Sequence, residues 1–268
     1  MIQVSTLVES QAARREQIST RVLSLARRDL ARFDGWYDDR LVREVSEQVS
    51  AYVTSGQRQV ANLTDAYLSR VLAEMLGEYV TPVGVIDLST PQRQGLSSLA
   101  DAYERLGAEF RYNASLAASP DAGMAAMLNR LDAMVLTDMA LAVRKQAQKT
   151  LARREVDGYR RIIRPYASTG GTCGLCVVAS DRQYEKSALL PIHDRCKCEV
   201  LPIVGGDDPG ISLNDDDLGR LYAHAGGKGG ESTTSGAALK NVRVRYEEHG
   251  ELGPVMTDMN HRAKSKRL

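Results

Sequence analysis

The sequence predicts a mainly α-helical protein: a body of long helices, then a small cysteine-containing α+β unit, then a flexible tail. Three observations lead to this prediction. Apolar residues recur every three to four positions through the first 157 residues, as they do along one face of a helix. All four cysteines lie between residues 173 and 198. Glycine and aspartate are concentrated after residue 205, a composition typical of linkers.

Composition excludes some classes of protein. The 268 residues include 35 Lys and Arg and 34 Asp and Glu, so the formal net charge is +1. The overall charge therefore does not indicate a nucleic acid or an anionic membrane as partner. No run of about 18 apolar residues is present, so no membrane-spanning helix is expected. The first residues lack the pattern of a signal peptide, which predicts a protein made in the cytoplasm.

The helical body is predicted over residues 1–157. Residues 5–32 form a charged helix, and "FDGWYDD" is the turn before a second helix that begins near residue 42. Thr90-Pro91 and Ser119-Pro120 each predict an N-cap followed by a proline in the first helical turn. A methionine-rich apolar stripe follows residue 120. We interpret these methionines as core filler between helices rather than as a cofactor site.

A small unit is predicted over residues 158–204. Residues 159–164 and residues 196–204 are both rich in β-prone side chains, and each is expected to form a strand. The unit is therefore two-stranded, with the cysteine-containing segment between its strands.

The tail is predicted over residues 205–268. It begins with an acidic and Gly-rich linker that includes a short helix over residues 215–225, capped by Asn214. Val242, Val244 and Tyr246 alternate like a strand or hairpin, and a basic segment follows them.

The cysteines and one histidine form the pattern C-x2-C-x16-H-x2-C-x-C. Structural zinc sites typically have two pairs of ligands. Two residues lie between the members of each pair, and about 16 to 19 residues lie between the pairs. Zinc takes four ligands, and five are offered: Cys173, Cys176, His193, Cys196 and Cys198. Two sets remain open. One is Cys173, Cys176, His193 and Cys196, and the other is four cysteines with His193 beside them.

Other interpretations of the cluster are disulfides, for instance Cys173 with Cys198 and Cys176 with Cys196, or unligated buried thiols. Zinc is favoured because thiols stay reduced in the cytoplasm. A catalytic zinc is disfavoured because no H-E-x-x-H motif is present and the order of motifs differs from that of zinc deaminases. The fold class is thus mainly α, with a long-helix body, a zinc-knuckle-like α+β unit and a flexible tail.

The cluster resembles the motif of MuF-like minor head proteins of tailed bacteriophages. In those proteins C-x-x-C is followed by a stretch ending in proline, then by H-x-x-C-x-C and an apolar strand. Here the motif runs from Cys173 to Val204, with Asp194 where many members have proline. The segment "EEHGELGPVM" is similar to the end of related proteins of actinobacterial phages.

The resemblance implies a structural minor capsid protein inside the head near the portal, assembled in the host cytoplasm, with portal and capsid proteins as partners and no membrane. It would assist head assembly, DNA packaging or ejection. Relatives in the same gene neighbourhoods are often labelled capsid maturation proteases, so a protease is the first alternative. Its candidate base is His249, which lies among three glutamates, although a histidine in a turn is the simpler interpretation.

A basic run before the cysteine unit suggests weak, sequence-independent contact with DNA. Its members are Arg144, Lys145, Lys149, Arg153, Arg154, Arg160, Arg161 and Arg164. The competing interpretation is a solvated helix face. A zinc-bearing DNA-binding module is therefore the second alternative function.

Overall fold

A computed structural model describes residues 2–163, 174–193, 196–216 and 244–258. The predicted mainly helical fold is confirmed. The helices are α1 (Ile2–Leu30), α2 (Asp39–Leu76), α3 (Leu99–Tyr103), α4 (Arg105–Ala117), α5 (Pro120–Ala152) and α6 (Gly174–Ser180). The strands are β1 (Gly158–Ile162), β2 (Gln183–Tyr184), β3 (Glu199–Ile203), β4 (Val244–His249) and β5 (Gly253–Asp258). None of these helices is long and apolar enough to cross a membrane.

Local sequence signals set the ends of the longest helices. The Asp38 side chain accepts hydrogen bonds from the first amides of α2, and Gly77 ends that helix with φ 71°, a conformation that glycine adopts without steric cost. The Ser119 side chain caps α5, and Pro120 occupies its first turn. The prediction made from Ser119-Pro120 is therefore confirmed.

The prediction that a helix begins at Thr90-Pro91 is wrong. The next helix, α3, starts at Leu99 behind a capping box formed by Ser98 and Asp101. Residues 78–97 contain no helix and lie along the outside of α2 and α5. A helix is not needed there because side chains of the long helices satisfy the peptide groups of the segment.

Asp65 of α2 is the main anchor of this segment. Its carboxylate accepts hydrogen bonds from the amides of Val83 (3.3 Å) and Gly84 (2.7 Å) and from the Thr150 hydroxyl of α5 (2.8 Å). The side chain is 1% exposed. One buried carboxylate thus joins two helices and the extended segment.

Replacing Asp65 with alanine is expected to lower the free energy of unfolding by about 2–4 kcal/mol, because three donors, one of them the buried Thr150 hydroxyl, lose a charged acceptor. Urea unfolding of the purified chain measures this change. Asn62→Ala, on the exposed face of the same helix, is the control and is expected to change stability by less than about 0.5 kcal/mol. Equal stability of the two variants would contradict the anchoring role of Asp65.

The main core lies where α1, α2, α4 and α5 pack together. The side chains of Val49, Val53, Leu131 and Val135 are completely buried. Met127, Met134 and Met139 of the predicted apolar stripe also belong to this core, so their interpretation as core residues is confirmed.

The sheet has the order β2-β1-β3, and both pairings are antiparallel. The sequence predicted β1 and β3, but the two-residue strand β2 makes the unit three-stranded rather than two-stranded. The sheet shares a second core with the long helices, which includes Leu68 of α2, Leu151 of α5, Tyr159 of β1 and Leu201 of β3. The cysteine unit is therefore packed directly on the helical body.

The tail is described in part. Residues 209–216 are helical, so Asn214 lies inside this helix, and its predicted role as an N-cap is wrong. Its side chain instead bonds to the Ile163 amide (3.0 Å) and the Arg161 carbonyl (2.8 Å). The predicted C-terminal β element is present as the antiparallel hairpin of β4 and β5. The Gly-rich linker, Val242 and the basic segment lie outside the described residues.

Candidate metal centre

Four of the five predicted ligands come from three places in the fold. Cys176 lies in the first turn of α6, while Cys196 and Cys198 lie just before β3. The amide of Cys196 donates to the carbonyl of His193 (3.1 Å), which closes a turn between these two residues. Cys173 lies outside the described residues.

The donor atoms of the four residues are close together. Sγ of Cys176 is 2.9 Å from Nε2 of His193, 4.0 Å from Sγ of Cys196 and 2.7 Å from Sγ of Cys198. Sγ of Cys196 is 3.7 Å from Sγ of Cys198. Zinc–sulfur bonds of about 2.3 Å in a tetrahedron separate two sulfur atoms by about 3.8 Å. Two of these distances match that edge, and Cys176, His193 and Cys196 have the geometry of a group that could bind a metal ion.

The three described cysteines form no disulfide with one another, and their residues are at most 6% exposed. The disulfide considered between Cys176 and Cys196 is not formed. Hydrogen bonds from Cys176 and Cys198 lower the pKa of the Cys196 thiol well below its usual value, whereas burial raises the pKa of Cys198 to about 11. Of these two thiols, Cys196 is therefore the one that loses its proton more readily.

Arg161 of β1 contacts the sulfur atoms of all three described cysteines. Its Nη1 is 3.7 Å from Sγ of Cys176, 3.5 Å from Sγ of Cys196 and 3.3 Å from Sγ of Cys198. Its Nη2 donates to the Pro191 carbonyl, and the side chain is completely buried. Burial acts to lower the pKa of Arg161, but the adjacent sulfur atoms raise it well above its usual value. The guanidinium is therefore held in its charged form against the cluster.

Arg15 of α1 holds the ligand segment, residues 196–199, in place, and the sequence did not predict this role. Its guanidinium donates to the carbonyls of Cys196 (2.7 Å) and Cys198 (2.8 Å) and pairs with Glu199 (3.2 Å). The sequence signal for this role was an arginine in the apolar stripe of α1, between Val8 and Val22. In the structure this position is buried. Such a residue needs a partner from another element.

The β4–β5 hairpin covers the other side of the cluster. The Ile192 amide donates to the Pro254 carbonyl (3.3 Å), and the Met256 amide donates to the Ile192 carbonyl (2.7 Å). Met256 is 2% exposed and packs with Cys176, Cys196 and Cys198. The thiols therefore lie in the interior, between α1, the sheet, α6 and the hairpin.

The predicted DNA-contact surface is wrong for three of its residues, because they are buried and bonded to protein groups. Arg144 is 2% exposed and donates to the carbonyls of Leu190 and Pro254. Arg160 is 8% exposed and pairs with Asp208 (2.7 Å). Arg161 contacts the thiols as described above. None of the three can reach a phosphate group in this fold.

Four further members of the basic run bind the extended segment of residues 78–97. Lys145, Lys149, Arg153 and Arg154 donate to the carbonyls of Gln92, Val85, Val83 and Thr81, respectively. Lys145 and Lys149 lie in the last turns of α5, and Arg153 and Arg154 follow its end. Lys145 and Lys149 are partly buried against the segment, whereas Arg153 is exposed. Arg164 lies outside the described residues.

His249 is the last residue of β4, next to the turn of the hairpin. Its Nδ1 accepts hydrogen bonds from the amides of Glu251 (3.1 Å) and Leu252 (3.2 Å). That nitrogen is already engaged, and no serine hydroxyl bonds to the ring within the described part of the chain. The contacts are those expected of a histidine that stabilises a turn.

The chain matches no family model, no curated protein and no solved structure among those compared with it. Interpretation of its function therefore depends on the geometry of the cluster and on the motif that contains it.

Proposed function

We propose that this chain is a structural minor head protein of a tailed bacteriophage, in which the Cys/His cluster holds a zinc ion that cross-links the fold. It would lie inside the capsid near the portal and contact portal and capsid proteins. One observation carries the proposal. Cys176, His193, Cys196 and Cys198, which are the spaced residues of the phage motif, meet in one cluster with buried thiols.

The donor set supports zinc. Thiolate and imidazole donors in a compact group are preferred by zinc over magnesium, calcium and manganese, which favour oxygen ligands. When bound, zinc would supply bonds that join α6 to the segment before β3. Such a site contributes directly to the free energy of folding.

The surroundings support a structural role rather than a catalytic one. A catalytic zinc needs an open coordination position and a general base near it. The nearby carboxylate of Glu199 is 1% exposed and is paired with Arg15. The hairpin and α1 enclose the thiols. Glu199 is therefore not placed to act as a general base.

Purified phage heads test the location. The tagged chain is expected to co-sediment with heads in few copies and to resist added protease until the heads are opened. Cleavage of the tag in closed heads would contradict an interior location, and absence from heads would contradict the structural role. Heads assembled without the chain should show defects in assembly, packaging or ejection.

Replacing His249 with alanine separates this proposal from the protease alternative. Cleavage of capsid protein in assembled heads is expected to be unchanged, because Nδ1 of His249 already accepts two turn amides. Loss of these bonds should cost only about 1 kcal/mol in unfolding free energy. Glu248→Ala, in the same hairpin, is the matched control. Loss of cleavage in His249→Ala alone would establish the protease instead.

A further inference from the structure

The interior around the Cys/His cluster contains more buried positive than negative charge. Arg15, Arg144 and Arg161 are at most 7% exposed and come from α1, α5 and β1. Glu199 pairs with Arg15. Within the described residues, neither Arg144 nor Arg161 forms an ion pair with a carboxylate, and Glu248 is more distant from Arg144.

The hydrogen bonds of these two arginines do not balance their charge. Arg144 donates from one nitrogen to two carbonyl oxygens, while its Nε and Nη2 have no hydrogen-bond partner among the described residues. Arg161 donates to one carbonyl, and its remaining contacts through Nη1 are to sulfur. Burying a guanidinium is strongly unfavourable unless an opposite charge lies close to it. The sulfur atoms are the acceptors that can carry this charge.

A divalent metal ion with thiolate ligands supplies the missing charge. With three thiolates and one neutral imidazole, the centre has one excess negative charge, and with four thiolates it has two. Arg161 has a nitrogen within 3.7 Å of all three described sulfur atoms. Its planar fork also reaches the Pro191 carbonyl, just before the ligand His193. The guanidinium therefore spans the cluster and the segment that carries its histidine.

We propose that Arg161 is the counter-ion of an anionic metal–thiolate centre, donating N–H groups to the bound sulfur atoms and thereby strengthening metal binding. It is a positioning residue and not a ligand. The inference rests on the proposed metal site and adds to it the reason why a fully buried arginine stands beside three cysteines.

The test compares zinc affinity in the full-length protein by competition with a chromogenic chelator. Arg161→Met is expected to lower the affinity by about 10- to 100-fold, as loss of a residue that hydrogen-bonds to metal ligands commonly does. Arg161→Lys restores the charge and is expected to recover much of the affinity. Arg182→Met is the matched control, because Arg182 stacks on Tyr246 (5.0 Å) at the surface of the same unit. It should bind zinc as the unchanged protein does.

Cobalt(II) substitution adds a readout that a purely structural role would not move. Loss of N–H donors to sulfur should shift the thiolate-to-cobalt charge-transfer band in Arg161→Met, with no shift in Arg182→Met. If Arg161→Met does not fold, Arg161→Gln keeps donor groups without the charge and is expected to show the same loss of affinity.

The outcomes separate the two proposals. Absence of zinc and cobalt binding by the unchanged protein would overturn the metal site itself. Normal metal binding by the unchanged protein, together with equal affinity and an identical cobalt spectrum in a folded Arg161 variant, would overturn only the role of Arg161. Weaker binding in Arg182→Met to the same degree would also overturn it.

Discussion

Replacing Cys196 with serine is expected to abolish stoichiometric zinc binding and to lower the melting temperature of the chain by on the order of 10 °C. Cys196 is 3% exposed, and its sulfur lies 4.0 Å from that of Cys176 and 3.7 Å from that of Cys198. Loss of this ligand would disconnect α6 from the segment before β3. A unit this small has little apolar core of its own to compensate.

The measurement combines metal content with thermal unfolding. The unchanged protein, purified without added zinc, should carry about one zinc per chain, and a strong chelator should lower its melting temperature to that of Cys196→Ser. The chelator should have no effect on the variant itself, which provides the internal control. A variant that keeps its zinc and its melting temperature would contradict the role of Cys196 as a ligand.

Replacing Arg15 with methionine is expected to lower the free energy of unfolding by about 3–5 kcal/mol, because a buried ion pair loses one partner. The carboxylate of Glu199, 1% exposed, would remain without its counter-charge. The carbonyls of Cys196 and Cys198 would lose their donors as well. Methionine keeps most of the apolar volume of the arginine side chain, so the change reports mainly on these polar contacts.

Arg14→Met is the matched control, because Arg14 lies on the exposed face of α1. Urea unfolding should show a change within about 0.5 kcal/mol for it. The double variant Arg15→Met with Glu199→Gln is expected to be less destabilised than the sum of the single variants, since contacting residues couple. Equal destabilisation by Arg14→Met and Arg15→Met would contradict the proposed contact between α1 and the ligand segment.

Sequence periodicity predicted the long helices correctly because their apolar positions repeat within a single element. The N-cap at Ser119 and the strand β1 could also be predicted, since the sequence signal for each lies within a few neighbouring residues. The same reasoning failed at Thr90-Pro91. Its local pattern is a good helix start, but the Gly84 amide donates to Asp65 and Lys149 donates to the Val85 carbonyl, and these bonds hold the segment against the long helices.

The cysteine pattern predicted the grouping of Cys176, His193, Cys196 and Cys198 for the same local reason, since the spacing of these residues is encoded in the sequence. The surroundings of the ligands could not be predicted in this way. Arg15 is separated from its acceptors by 181 to 184 residues, and no sequence pattern connects them. Asn214 was assigned to a helix cap because asparagine is a common N-cap residue. Its partners, Arg161 and Ile163, are 53 and 51 residues away in the sequence.

By itself, the sequence determined the helical body, the grouping of cysteines and histidine, and the chemistry that this group can perform, because each of these depends on residue type and local spacing. The tertiary structure decided what surrounds the group. It placed three members of the predicted DNA-contact run, Arg144, Arg160 and Arg161, in the interior, where they bond to carbonyl, carboxylate and sulfur groups. A sequence shows which residues are charged but not where their side chains point. Only packing determines whether an arginine faces water, a carbonyl or a sulfur atom.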